Sequence, residues 1–193
     1  MATSSVAGLL LAAGGGRRFG MPKALVPYGA GLLVDHAAAT LVNAGCEPVI
    51  TVLGAAADDV RSRTTLPGIV IDNPDWVDGM GSSLRVGLEA LGDSDAVIVL
   101  TVDTPGITAE AIRRLIAMAA PGALARATYD GVPGHPVLIG RDHWRGVAEA
   151  ADGDTGARPY LARNHVTDVP CADIADGADA DRPEDLPGRP HAQ

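Results

Sequence analysis

Aromatic side chains are scarce: the chain of 193 residues has one Phe, two Trp and three Tyr. Its core must then be aliphatic, and it lacks the rows of flat side chains on which single-stranded nucleic acid stacks. Positive charge is scarce too. Lys and Arg number 15 against 24 Asp and Glu, a net −9, so the basic footprint of a nucleic-acid binder is missing. Cysteine is limited to Cys46 and Cys171, far apart and with no CxxC pair. That argues against a structural zinc site or a disulfide framework and makes a reducing, cytoplasmic compartment the expectation. No run approaches the roughly 20 apolar residues of a membrane span. Val6–Ala13 is apolar, but it is short, has no basic segment before it and runs into Gly-Gly-Gly-Arg-Arg, unlike a secretion signal. Neither nucleic acid nor membrane is expected as a partner.

What is present is enough for a core. Hydrophobic residues make up 47% and charged residues 20%, the balance of a chain that folds. The length suits one domain over 1–187, with Gly188–Gln193 a frayed tail. Val6–Ala12, Pro48–Leu53, Ile69–Ile71, Ala96–Val102, Ala123–Thr128 and Pro136–Ile139 read as strands. Ala96–Val102 is continuously apolar, the mark of a strand covered on both faces. Val34–Ala44, Ala56–Arg63, Ser82–Leu91, Thr108 to about Ala119, Arg141–Ala150 and Thr155–Arg163 read as helices. Gly45 is placed to end the first of them, and Ser82 or Ser83 and Thr108 to cap theirs. Strands alternating with helices predict an α/β fold, a doubly wound, mostly parallel Rossmann-like sheet. Ligands of such sheets bind outside the carboxyl ends of the strands. A glycine loop and Asp103 both fall at such ends.

The loop is Leu11-Ala12-Ala13-Gly14-Gly15-Gly16-Arg17-Arg18-Phe19-Gly20-Met21-Pro22-Lys23. Glycines let the backbone approach a ligand and turn its N–H groups inward as an anion nest. Arg17, Arg18 and Lys23 bring positive charge to the same place in an acidic chain. Two familiar phosphate loops do not fit. GxGxxG begun at Gly14 meets Phe19 where glycine is needed, and GxxxxGK[ST] begun at Gly15 meets Met21 where lysine is needed. Farther on, Asp103 ends the apolar strand. A carboxylate facing a phosphate loop is well placed to hold Mg²⁺ or, more simply, to cap the next turn. Gly81, Ser82 and Ser83 open a helix with free N–H groups and two hydroxyls, able to hold a ribose or phosphate or merely to cap.

From Leu11 to Leu25 the chain meets every fixed position of LAAGxGxRxGxPKxL, and so resembles the MobA/MocA-like nucleotidyltransferases. The resemblance implies a nucleotide-diphospho-sugar transferase type of fold over 1–187. It implies that Leu11, Ala12, Ala13, Gly14, Gly15 and Gly16 wrap a nucleoside triphosphate, that Arg18 and Lys23 hold its phosphates, and that Gly81, Ser82 and Ser83 lie on the nucleotide side. Asp103, in a DxP string, matches the metal-binding aspartate. Asp179-Ala180-Asp181-Arg182-Pro183-Glu184-Asp185-Leu186 is similar to the family's DxDTPEDL element, which makes Asp181 the second Mg²⁺ ligand and Asp179 its backup. Arg182 departs from the usual threonine. GHPVLI, carrying His135, and GDTGAR, carrying Asp154 and Arg158, are similar to the MocA-like branch and imply acceptor-side roles, Arg158 through a forked contact.

These motifs span residues 9–186. They imply an enzyme that transfers a nucleoside monophosphate to a phosphate-bearing acceptor and releases pyrophosphate, with Lys23, Arg18 and Asp103 catalytic. The branch implies CTP, as does LAAG in place of LAGG. It also implies a molybdopterin-type acceptor and a recipient molybdoenzyme as partner. Two alternatives stand beside it: transfer to another acceptor (GTP to molybdopterin, or a sugar, polyol or phospholactate acceptor), or a non-catalytic nucleotide or cofactor carrier.

Overall fold

A computed structural model describes residues 4–187; the expected frayed tail, Gly188–Gln193, lies outside the described residues. The chain opens with β1 (Val6–Ala12) and a small hairpin, β2 (Pro27–Tyr28) and β3 (Gly31–Leu32). It then alternates α1 (Leu33–Ala44), β4 (Val49–Leu53), α2 (Ala57–Arg63), β5 (Ile69–Asp72), α3 (Met80–Glu89), β6 (Ala96–Thr101) and α4 (Ala109–Ile116). A second part adds β7 (Leu124–Tyr129), β8 (Val132–Gly140), α5 (Trp144–Ala150), α6 (Arg158–Leu161) and β9 (Thr167–Pro170).

One 7-stranded sheet runs in the order β5-β4-β1-β6-β8-β7-β9. β5, β4, β1 and β6 are mutually parallel, β8 is antiparallel to β6 and to β7, and β9 is parallel to β7. The mostly parallel α/β sheet expected from the sequence is therefore the one observed. Its strands separate two aliphatic layers because neighbouring residues of a strand face opposite ways. Val6, Leu10 and Ala12 join Leu33, Val34 and Leu41 of α1 and Ile112 and Leu115 of α4. Ala7, Leu9 and Leu11 join Leu84 and Leu88 of α3, Val147 of α5 and Leu161 of α6. All seven residues of β1 are buried, as are all six of β6. Chain connections leave β1 toward β4 on one side while β6 lies on the other, so the carboxyl ends of β1 and β6 flank a switch point where ligands lodge.

Several expected boundaries move for physical reasons. The third expected helix starts at Met80, with Gly79 as its N-cap, φ 98°. Neither serine caps it. Asn73 donates its side-chain amide to Ser82 Oγ (2.8 Å) and Ser83 Oγ (2.9 Å), drawing both hydroxyls inward. Thr108 does cap α4, accepting from the Ala111 N–H. Gly45 ends α1 in the left-handed region, φ 94°. The expected helix over Thr155–Arg163 shrinks to Arg158–Leu161: Gly156 takes φ 54°, which breaks the run, and the helix starts after it with Pro159 in its first turn. Arg141–Ala150 begins with a 3-10 turn at Arg141–His143 before α5.

Candidate active site

A cleft of about 660 Å³ opens at the carboxyl ends of β1 and β6. One wall is the glycine loop. Gly16 (φ 61°) and Gly20 (φ 88°) take left-handed backbone that side chains disfavour, and the Gly20 N–H donates to the Gly16 carbonyl at 2.8 Å, closing a turn. A Cβ on Gly16 would collide with the Met21 carbonyl oxygen, so glycine is required there twice over. A 3-10 turn at Lys23–Leu25 follows, pinned by buried Ala24 and Leu25. It aims the Lys23 side chain back into the cleft.

The opposing wall is a C-terminal strap. The Asp176 N–H donates to the Gly106 carbonyl (3.1 Å), and the Ala180 N–H to the carbonyl of Asp103 itself (2.7 Å). Asp185 then accepts from the N–H groups of Asp181 (3.0 Å) and Arg182 (2.8 Å). The N–H of residue 182 is thus held by a neighbour's carboxylate. Arg182 points to Glu184, 3.9 Å away.

Between the walls sits an ion cluster. Lys23 Nζ lies 2.9 Å from Asp103 Oδ2 and 3.0 Å from Asp181 Oδ1, and an Arg18 guanidinium nitrogen lies 2.8 Å from Asp181 Oδ2. The Lys23 side chain is only 13% exposed, that of Arg18 77%. Burial opposes the charge on Lys23, but the Asp103 and Asp181 carboxylates outweigh it and raise its pKa. The hydrogen bond from Lys23, with its charge and that of Arg18, holds the Asp181 carboxyl below the usual range. Asp179 is pushed the other way, by burial and by the nearby Asp103 charge. Lys23 thus bridges two carboxylates that would otherwise repel each other, and with Arg18 balances their charge.

The same cluster tests whether a divalent ion fits. Carboxylate oxygens are hard donors suited to Mg²⁺, which usually takes one or two of them and completes its shell with water and substrate phosphates. Asp103 and Asp181 already converge on a single cation. Among the described residues, no three His, Cys, Asp or Glu side chains are grouped to hold a metal. The residues therefore fit an ion that arrives with a phosphate ligand.

Leu11, Ala13, Gly14, Gly15, Gly16, Ser83, Asp154 and Arg158 line the cleft with these charges. Ala12, Gly81 and Ser82 do not. Ala12 packs into the core, a Cβ on Gly81 would crowd the Asp152 backbone, and the Ser82 hydroxyl lies within bonding distance of the Gly79 (2.8 Å) and Asp75 (2.9 Å) carbonyls. His135 also stays outside the lining, its Nδ1 3.3 Å from the Val99 carbonyl. Burial holds its ring toward the neutral form. Met80, within the GMGSSL string, lines the cleft as well, and so do Trp76 and Val77, which escape sequence reasoning. A rare tryptophan between Pro74 and Gly79, where a turn is expected, is the signal that could have marked them.

Residues 8–169 match the family model described as the MobA-like NTP transferase domain. The chain belongs to this family. Its activity class, nucleotidyl transfer, follows from that membership. Among MobA-like relatives, the chain is 24% identical over 140 residues to the molybdenum cofactor cytidylyltransferase of Escherichia coli K12, covering 72% of this chain and 71% of that one. It is 38% identical over 192 residues to the nicotine blue oxidoreductase of Paenarthrobacter nicotinovorans, covering 94% of each. In three dimensions it is similar to the Mycobacterium sp. strain JC1 homologue of Mycobacterium tuberculosis Rv0371c, with TM-score 0.75, 31% identity and 90% of each chain covered.

Proposed function

We propose that this MobA-like enzyme transfers CMP from CTP to the phosphate of a molybdopterin-type acceptor and releases pyrophosphate. The observation that carries the reading is the Lys23 ammonium, shared between Asp103 and Asp181 directly beside the glycine loop. A triphosphate laid on that loop would meet Lys23 and Arg18 first. The acceptor phosphate oxygen attacks the α-phosphorus, a new P–O bond forms, and the bond to the β-phosphate oxygen breaks. The chain's own work is positioning and charge neutralisation. Lys23 and Arg18 offset charge on the triphosphate and on the leaving pyrophosphate. Gly14, Gly15 and Gly16 let backbone N–H groups close around it. Asp103 and Asp181 would hold Mg²⁺, which when bound offsets charge on the reacting oxygens. Arg158 and Asp154, which also line the cleft, would meet the acceptor. No general base is needed, because a phosphate nucleophile is already ionised near neutral pH. CTP, the molybdopterin-type acceptor and a recipient molybdoenzyme rest on the LAAG, GHPVLI and GDTGAR strings and on the cytidylyltransferase relative.

The test is pyrophosphate release from CTP, with Mg²⁺ and molybdopterin present, against panels of GTP, ATP and UTP and of sugar, polyol and phospholactate acceptors. Release with CTP and molybdopterin that falls in Asp103→Ala supports the reading. An Asp103→Ala variant as fast as the parent sinks it.

A redox reading has one observation in its favour, the 38% identity to a protein named nicotine blue oxidoreductase. The glycine loop departs from the dinucleotide fingerprint at Phe19, which weighs against a nicotinamide cofactor bound there. Oxidation of NADH or NADPH with nicotine blue, with no nucleotide transfer detectable, would favour it.

A further inference from the structure

Trp76 and Val77 lie on the 3-10 turn Trp76–Asp78, between β5 and α3. The indole is wedged against two glycines. A Cβ on Gly15 would sit 3.1 and 3.2 Å from Trp76 Cζ3 and Cη2, and a Cβ on Gly54 would sit 2.5 Å from Trp76 Cβ. The ring is therefore fixed between the carboxyl end of β4 and the glycine loop itself. It is nonetheless only partly buried, lining both the cleft and a second hollow with Gly54, Asn73 and Pro74, and Val77 beside it is 63% exposed.

The cleft lining mixes charge with apolar surface: Arg18, Lys23, Asp103 and Asp181 meet in the ion cluster, while Trp76 packs on Gly15 and Gly54, with Val77 and Met80 also in the lining. A nucleoside triphosphate has the same two needs, a charged site for its phosphates and an apolar one for a flat heterocycle. An indole can stack on any base, because every base has a π-face. Packing against Gly15 fixes that platform relative to the loop placed to hold the phosphates, and a rigid platform loses little freedom on binding. Exposed apolar surface next to a charged cleft also has a reason to exist if a ligand covers it.

We propose that Trp76 is the stacking wall for the base of the nucleoside triphosphate, with Val77 extending its apolar edge. This rests on the nucleotidyltransferase reading. Stacking reads the face of the base and not its edge, so Trp76 raises affinity for all four nucleotides and leaves the choice of cytosine to other groups.

The test uses tryptophan fluorescence in a Trp144→Phe background. Trp144 is the other indole and donates to the Ile139 carbonyl in the second aliphatic layer, outside the cleft lining. Titration with Mg²⁺-CTP is expected to quench Trp76, while tripolyphosphate, with binding followed by calorimetry, leaves the emission unchanged. In the native background, Trp76→Ala is expected to weaken CTP about tenfold, to leave tripolyphosphate affinity as it was, and to be largely rescued by Trp76→Phe. Equal losses for CTP and tripolyphosphate would show that Trp76 only props the loop, and would overturn the proposal. Quenching by the acceptor but not by CTP would overturn it too. CTP binding seen by calorimetry with a silent Trp76 defeats this proposal alone. No binding of CTP, GTP, ATP or UTP at all defeats the nucleotide reading with it.

Discussion

Between Gly14 and Lys23 the cleft wall is made by backbone that only glycine permits, with Gly16 and Gly20 in the left-handed region. Between Asp173 and Leu186 the facing wall has no strand or α-helix. It is fastened from outside, by N–H groups of the strap given to Gly106 and Asp103, by the Thr108 hydroxyl given to Ile174 (3.1 Å) and by Arg114 on Asp173. The loop's shape is written into its own residues. The strap's shape belongs to the surfaces beneath it. Yet the strap brings Asp181 within reach of Lys23, so a group fixed by local conformation meets one fixed only by tertiary contact.

Lys23 joins the two walls, and removing it should have the largest effect. Lys23→Ala leaves Asp103 and Asp181 without their shared counter-charge and takes a cation from the phosphate site. Pyrophosphate release is expected to fall about 10²–10³-fold, the loss typical of one preorganised electrostatic group. A fall of less than threefold would mean that the cluster is a structural clasp and not part of the chemistry.

Gly16→Ala attacks the loop through its own conformation. Left-handed backbone costs about 1–2 kcal/mol for a residue with a Cβ, and the collision with the Met21 carbonyl adds to it. Urea denaturation should show at least that loss, and CTP affinity should drop with it. The strap has no equivalent weak point in its dihedrals. Its counterpart is Gly177, where a Cβ would run into the Tyr129 ring. That ring is held in turn by its hydroxyl, which donates to the His135 carbonyl at 2.7 Å. Gly177→Ala should lift the strap and cut activity about tenfold, within the range a misplacement of about 1 Å can cost. Adding Tyr129→Leu should restore part of it by making room. The same second change in Gly16→Ala should restore nothing. Rescue of both variants, or of neither, would break the contrast between the walls.

The two walls were also unequally legible in the sequence. The glycine loop is readable because its residue types are unusual and contiguous. β1 and β6 are readable because burial on both faces leaves unbroken apolar runs. β9 was missed because it is an edge strand with only Val169 buried, and β8 begins at Val132, earlier than Pro136, because its first four residues are not buried and carry no apolar signal. The hairpin β2–β3 is two residues a side, too short for any periodicity. Asp181 could be proposed only by resemblance, since an acidic stretch without regular structure says nothing about what lies opposite. Trp76 carried only its rarity as a signal, because the Gly15 and Gly54 surfaces that pin it are distant in sequence.

The smallest effect should come from the strap's outer fastening. Arg114 forks onto Asp173 at 2.8 and 2.9 Å and also donates to the Pro170 carbonyl. The Arg114 hydrogen bond is what chiefly holds the Asp173 carboxyl below its ordinary 3.8. A carboxyl whose folded pKa lies below its unfolded one stabilises the fold above the unfolded value, and that stabilisation is lost as pH falls through the folded value. Arg114→Met should therefore lower Tm slightly at pH 7, and the gap to the parent should narrow as pH drops below about 3.8. Asp173 is 62% exposed, so solvent screens the pair and the gap is small even at its widest. What remains at low pH is the bond to Pro170, which does not titrate. A Tm gap that is the same at pH 7 and pH 3 would assign the fastening to that carbonyl alone. Activity should hardly change at neutral pH, because the inner bonds to Gly106 and Asp103 still set where Asp181 stands. An activity loss as large as that of Gly177→Ala would mean that the strap is positioned from its outer edge, and the contrast between the walls would have to be redrawn around Arg114.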